Sequence, residues 1–415
     1  MRTQVELSEE ESSRMAKDLK IFLTYPFFQP MGKKKIILFT ENLYGGGVER
    51  IQQIICSHFD FTRYELTVFS LREEKHDDNY YPKEITYKYI YDVLKRDDST
   101  GTKLIKIIKN KTKLWVYGHF SPYVFYKLFI RERSDVVIAF IEGYATRMVA
   151  GFPKEIKKIA WLHTEITNNH WSKIAYQISS DEEKAYLSMA HIVCVSIEVK
   201  RQLELVFPKV KTGIVLHNPV DKSMIIKKSK EILSQDFTKR GDTKRLICIG
   251  SLIEIKGHLR LLKAIQKLIQ DGYDIELFLL GKGKLHDNLY KYIINNHLND
   301  RVFLLGYQEN PYNYLASSDI YVCSSYAEGY NTAITESLVL GKAVVSTECS
   351  GVKEQLGENN EWGICVPNSE EGIYQGLKEM LEEKTLMHYT EQALIRGKEF
   401  TLEESMKNIY TLINE

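Results

Sequence analysis

The chain is short of most features that settle a protein's class at sight. It has almost no net charge, with 56 Lys and Arg against 55 Asp and Glu over 415 residues, which argues against a nucleic-acid-binding protein. Its six cysteines, Cys56, Cys194, Cys248, Cys323, Cys349 and Cys365, include no Cys-x-x-Cys and sit mostly in apolar runs such as LICIG and DIYVCSS. They read as buried, reduced thiols of a cytoplasmic protein, neither metal ligands nor bridges. No apolar run approaches the roughly 20 residues that a membrane span needs. The amino terminus, MRTQVELSEEES, has neither the basic start nor the apolar middle of a signal peptide. Asp-x-Asp occurs nowhere in the chain.

What is present is length and an alternating pattern. A chain of 415 residues exceeds one ordinary core and predicts two or three domains. Residues 1–34 read as an N-terminal extension: an acidic helical segment, then the apolar IFLTYPFFQP, then MGKKK. That extension reads as a membrane or partner contact, as a tucked-in arm, or as sequence upstream of a start at Met31. From Lys35, apolar β-rich runs alternate with helical ones: KKKIILF, ELTVFSL, ITYKYI, SDVVIAF, KKIAWL and AHIVCVS. Continuous apolar strands of this kind belong in a parallel sheet covered on both faces. Asn218-Pro219 ends this first series, which spans 35–220, and a polar, Lys-rich linker follows over 221–242. A second series occupies 243–395 with RLICIGS, IELFLLG, RVFLLGY, DIYVCSS and KAVVST, and helices run to the end, the last (396–415) predicted to return to the first domain. The expected fold is α/β, two doubly wound parallel-sheet domains facing each other across a cleft.

Charge is uneven along the chain. Residues 101–250 carry 26 Lys and Arg against 14 Asp and Glu, and residues 301–415 carry 8 against 18. Much of the basic excess lies on a helix around LIKIIKNKTKLWVY (104–117), with Lys103, Lys106, Lys109, Lys111 and Lys113. These lysines read either as a solvated face or as a surface for a membrane.

The most informative stretch is Ser324 to Leu356, SSYAEGYNTAITESLVLGKAVVSTECSGVKEQL. A strand leads into Glu328-Gly329, then Tyr330, Asn331 and Thr332, then a helix that carries Glu336 eight positions after Glu328. A strand, glycine turn and helix start leave backbone N–H groups and the positive helix end facing a crevice, where an anion fits. Two carboxylates do not bind that anion. They suit hydroxyls, and hydroxyls beside a phosphate mean a sugar nucleotide. Upstream, Gly45-Gly46-Gly47 forms a second glycine turn between a strand and a helix that begins VER. Lys256, in GSLIEIKG, reads either as a solvated lysine or as a phosphate cation. His163 closes the strand of WLHTE, after Glu142-Gly143 close the preceding one, and reads as a structural histidine or as a sugar contact.

Together, the glycine turn GGGVER, WLHTE, the NPVD linker, GSLIEIKG, LLGKG, FLLGY and EGYNTAITES resemble glycosyltransferase family 4, retaining enzymes of the two-domain GT-B fold that include many makers of bacterial cell-surface glycans. The likeness is strongest over about 243–357. It implies that Glu328 stands near the donor sugar, that Gly329, Tyr330, Asn331 and Thr332 meet sugar and diphosphate through their backbone, and that Glu336 binds the ribose. It also implies that Lys256 binds the diphosphate, that Gly46 and Gly47 approach the phosphates from across the cleft, and that His163 meets the donor sugar. Gly306 and Tyr307 fall where the nucleobase lies. One departure stands out: the family's usual arginine after the first strand's glycine is Ser251 here. A cation from elsewhere (Lys282, Lys284 or Arg260) then reaches the diphosphate, or Lys256 and backbone dipoles serve alone.

The implied activity is transfer of a hexose or N-acetylhexosamine from a nucleotide-diphosphate sugar, UDP foremost, to a hydroxyl of a polysaccharide, teichoic acid or lipid-linked glycan. No cofactor is expected, and without Asp-x-Asp no metal. Glu328, His163 and Lys256 are the expected catalytic residues, and the expected place is the cytoplasm at the inner face of the membrane. The alternatives are a catalytically silent GT-B subunit that binds glycan or a partner transferase, and a two-domain sugar-nucleotide epimerase.

Overall fold

The computed structural model describes residues 32–74, 80–167, 169–233, 237 and 241–415. The expectations for the extension up to residue 31 lie outside these. Seven strands form the first sheet: β1 (Lys34–Phe39), β2 (Tyr64–Arg72), β3 (Thr86–Tyr91), β4 (Val136–Ala139), β5 (Lys157–Leu162), β6 (His191–Cys194) and β7 (Gly213–Val215). Six form the second: β8 (Lys244–Ile249), β9 (Ile275–Leu280), β10 (Val302–Gly306), β11 (Ile320–Cys323), β12 (Ala343–Thr347) and β13 (Ile364–Val366). The spatial orders are β3-β2-β1-β4-β5-β6-β7 and β10-β9-β8-β11-β12-β13, with every pairing parallel. In each sheet the order reverses beside the first strand, between β1 and β4 and between β8 and β11. Chain leaving the carboxyl ends of those neighbours diverges and opens a crevice. The sequence pattern does not reveal β13: three residues, Ile-Cys-Val before Pro367, are too few to show a period.

Six helices matter for the site. α1 (Gly47–Ser57) follows the first glycine turn and buries Ile51, Ile54 and Ile55. α2 (Thr100–His119) buries only Val116 along its 20 residues. α3 (Lys222–Ser229) lies within the stretch read as a linker and is capped by Asp221, whose side chain accepts from the Met224 amide at 2.9 Å. Its Ile225 packs with Val220 and Tyr312 on the second domain. α4 (His258–Gln270) turns Leu261, Leu262, Ile265 and Leu268 into the second core, each worth about 1.5–3 kcal/mol by burial. α5 (Thr332–Val339) follows the Glu-Gly turn and is buried over most of its length. α6 (Leu402–Asn414) returns to the first domain, where Met406, Ile409, Leu412 and Ile413 join the core of the first sheet. The six cysteines are free thiols, four of them buried. Among the described residues no helix is long and apolar enough to cross a membrane.

Candidate active site

The two crevices face one another, and between them lies a cavity of about 940 Å³. Its walls come largely from chain at the carboxyl ends of β1, β5, β8, β9, β10 and β11, the two glycine turns included. Of the residues singled out in the sequence, Gly46, Gly47, His163, Ser251, Lys256, Tyr307, Glu328, Tyr330, Asn331, Thr332 and Glu336 line it. Gly306 and Gly329 do not. Gly306 instead accepts the Gly281 amide at 2.8 Å behind Tyr307. Gly329 lies against the first domain, where a Cβ would stand 2.0 Å from the His163 carbonyl oxygen. Only glycine permits that approach, so Gly329 sets how closely the domains meet.

Glu328 and Lys256 form the centre of the second-domain wall. The Lys256 Nζ donates to both Glu328 oxygens, at 2.7 and 2.9 Å. Burial alone would lower the lysine, but the Glu328 carboxylate beside it holds its pKa above the ordinary value. Glu328 Oε1 also accepts from the Ser325 hydroxyl at 2.6 Å and from the Asn331 amide nitrogen at 3.2 Å, leaving Oε2 with Lys256. The Asn331 Oδ1 caps α5, accepting from the Ala333 amide at 2.9 Å and the Ile334 amide at 3.4 Å. The Asn331 side chain is therefore spent on holding the turn.

Glu336 is buried one turn further along α5. Burial lifts its carboxyl, opposed by Arg50 and by the Tyr312 hydroxyl, which donates to Oε1 at 3.1 Å. Arg50, from α1 of the opposite domain, places its Nε 3.9 Å from Glu336 and its guanidinium over the Tyr312 ring.

On the first-domain wall, His163 is buried, and desolvation lowers its ring to about 3, a hydrogen bond to the Phe140 carbonyl opposing. The imidazole is thus neutral near pH 7. With one nitrogen on Phe140 and Nε2 buried without a partner, Nε2 is the acceptor left over for a ligand hydroxyl. Glu142 is not in the cavity. It sits fully buried behind it, accepting the His163 amide at 3.1 Å, the Trp171 indole N–H at 3.1 Å and the Thr164 hydroxyl, and so fixes the strand end that carries His163.

The glycine turn departs from expectation. The Glu49 carboxylate folds back over it and accepts from the backbone amides of Gly46 and Glu49 and from the Asn42 side chain, while burial, the larger effect, raises its pKa. The amides expected to face phosphate are thereby partly occupied by the protein's own carboxylate.

In the sequence Glu49 reads only as an acidic residue in the first turn of the helix after GGG and Arg50 has no assigned role, although both line the cavity. Asn218 reads only as a strand breaker, yet its buried Oδ1 lines the cavity with no hydrogen-bond partner. Tyr80, whose hydroxyl crosses the cleft to Glu309 at 2.9 Å, has no assigned role either. Adjacency to a glycine turn was the one available signal, and only for the first two.

Comparison with known proteins agrees with this architecture. The chain is similar over 189 residues, at 34% identity, to the N-acetylgalactosamine-N,N'-diacetylbacillosaminyl-diphospho-undecaprenol 4-alpha-N-acetylgalactosaminyltransferase of Campylobacter jejuni, covering 45% of this chain and 49% of that one. It thus spans about half the length of that relative. An uncharacterized glycosyltransferase of Methanocaldococcus jannaschii is 26% identical over 342 residues, covering 74% and 83%. In structure, Anabaena HepE in complex with UDP and glucose superposes with a TM-score of 0.68 at 16% identity, covering 92% of this chain and 99% of that one, which shows the two-domain GT-B fold. Residues 229–396, which hold the second domain with its Glu328–Lys256 wall, match the family described as "Glycosyl transferases group 1".

Proposed function

We propose that the protein is a retaining, metal-independent glycosyltransferase that moves a hexose or N-acetylhexosamine from a nucleoside-diphosphate sugar, UDP-linked foremost, to a hydroxyl of a cell-surface polysaccharide, teichoic acid or lipid-linked glycan. The observation that carries this reading is the Lys256–Glu328 pair on one wall of an interdomain cavity with the unpartnered Nε2 of His163 on the other. Lys256 stabilises charge on the departing diphosphate as the sugar–oxygen bond breaks. Glu328, held by Lys256, Ser325 and Asn331, turns Oε2 toward the sugar and orients it. His163, neutral and an acceptor at Nε2, takes a hydrogen bond from a sugar hydroxyl without adding charge. Glu336 accepts the two ribose hydroxyls. The acceptor hydroxyl attacks from the face the leaving group vacates, and a phosphate oxygen takes its proton. Closure of the cleft keeps water from competing.

The acceptor's setting is read from α2. Leu104, Ile105, Ile108, Leu114 and Trp115 are all more than half exposed, interleaved with exposed Lys109 and Lys111. Lys106 and Lys113 instead hold Asp98 and Asp92 at 2.8 and 3.7 Å. This face suits the anionic inner surface of a membrane. Wild-type cosedimentation with anionic vesicles after Leu104→Ser and Trp115→Ser would remove that placement.

The test of activity is incubation of the full chain with UDP-, GDP- and ADP-sugars, following nucleoside diphosphate release with and without a crude lipid or glycan extract. Acceptor-dependent release is expected. Binding of nucleotide with no release under any condition would favour the silent-subunit reading, for which the missing arginine at Ser251 speaks.

A further inference from the structure

Resting on the reading above, the charge balance of the cavity leaves one question open. A nucleoside diphosphate brings at least two negative charges, and the groups expected to receive them are already matched. Lys256 is neutralised by Glu328 at 2.7 Å. Arg50 is engaged by Glu336 and the Tyr312 ring. The glycine turn is covered by the Glu49 carboxylate. None of these three leaves an uncompensated charge for the phosphates.

We infer that Lys282 is that cation and binds the donor diphosphate beside Ser251. Lys282 follows β9 and lines the cavity. Its loop lies directly on the Gly250-Ser251 turn: the Leu252 amide donates to the Lys282 carbonyl at 2.9 Å, and a Cβ on Gly281 would stand 1.9 Å from the Gly250 carbonyl oxygen. The backbone of 281–282 thus packs on that of 250–252, which brings Lys282 to the turn that carries Ser251. Among the described residues no carboxylate lies within ion-pair distance of Lys282. Its ammonium rests instead over the Tyr307 ring, 5.0 Å from the centroid, a weak hold that a phosphate would outcompete. The flexible four-carbon stem makes the swing from ring to phosphate inexpensive.

The other cations of the neighbourhood are placed differently. The Arg260 guanidinium is buried and committed, donating to the Ser324 and Ser325 carbonyls at 2.9 and 2.7 Å. Lys284 is not part of the cavity wall. Lys228 also lines the cavity, but it comes from α3, where its carbonyl accepts from Asn310 at 2.9 Å, and among the described residues no backbone hydrogen bond joins it to the Ser251 turn as one joins Lys282.

The test is calorimetric titration of the full-length wild type, K282A and K282R with UDP, GDP and ADP, each beside its own nucleoside. For the best-bound nucleotide, K282A is expected to weaken the diphosphate about ten- to a hundredfold and the nucleoside less than about twofold, while K282R stays within about threefold of wild type. Equal losses for diphosphate and nucleoside would overturn the proposal, because Lys282 would then act by seating Tyr307. No loss in K282A, or a loss in K282R as large as in K282A, would overturn it too. A wild type that binds none of the diphosphates would overturn the proposed function along with it, whereas tight wild-type binding unaffected at Lys282 removes this inference alone.

Discussion

The Gly45–Gly47 turn of the first domain and the Glu328–Asn331 turn of the second are the same device met head to head. Each joins a sheet strand to a helix, and the helix starts touch: a Cβ on Gly47 would lie 3.7 Å from the Thr332 hydroxyl. Two positive helix ends aimed into one cavity repel each other unless something negative lies between them. The domains answer differently. The second caps its helix with a neutral side chain, Asn331, and keeps its nearest carboxylate, Glu328, tied to a lysine. The first covers its helix end with a charge, Glu49. A neutral cap leaves the helix potential available to a ligand, whereas a charged one spends it. On the proposed function the second turn is the one open to the donor's phosphates, and the first is covered by its own carboxylate.

That contrast can be tested at three strengths. The largest effect is expected on the second-domain wall, where K256A and E328Q should each lower kcat/KM about a hundredfold; wild-type rates in both would end the assignment of this wall to the chemistry. Next comes Glu336, whose E336Q variant should bind a nucleoside diphosphate and its free nucleoside about tenfold more weakly and by equal factors; a loss confined to the diphosphate would move Glu336 away from the ribose. The smallest effect concerns Glu49. E49Q keeps an acceptor over the turn and removes the charge, so diphosphate affinity should rise about two- to fivefold at pH 8. Burial raises the Glu49 titration point, so the wild-type carboxylate is charged above that point and neutral below it. The gain from E49Q should accordingly shrink as the pH falls toward and through the raised value. A gain that is constant with pH, or a loss of affinity, breaks the contrast between the two turns.

Much of the fold was readable because buried parallel strands are apolar on both faces and carry their own punctuation. LICIG, IELFLL and DIYVC each became a strand, and only the three-residue β13 escaped. The second-domain wall of the cavity was readable for a related reason: Glu328, Glu336 and Lys256, which all line it, are local to strand–turn–helix units whose geometry follows from their order in the chain. What could not be read was anything decided across the cleft. Nothing in the spacing of Arg50 says that it meets Glu336, and Gly329 reads as a phosphate-binding glycine until the His163 carbonyl is seen against it. Glu49 reads as a favourable acidic residue in a helix's first turn, and it is one. That local benefit is what removes the turn from service to a ligand.

The return of α6 to the first domain bears on how the molecule is made. Lys34, in the first strand, donates to the Ile413 carbonyl at 2.7 Å, 379 positions away, and Lys157 donates to the Leu412 carbonyl at 2.6 Å. Tyr410 stacks on Tyr64. During synthesis the amino-terminal sheet emerges from the ribosome long before the helix that seals it, and until then a stripe of its apolar surface stays uncovered. The first sheet is complete at Val215 but is sealed only by Leu402–Asn414, so its uncovered stripe is open to a chaperone while the second domain is being made.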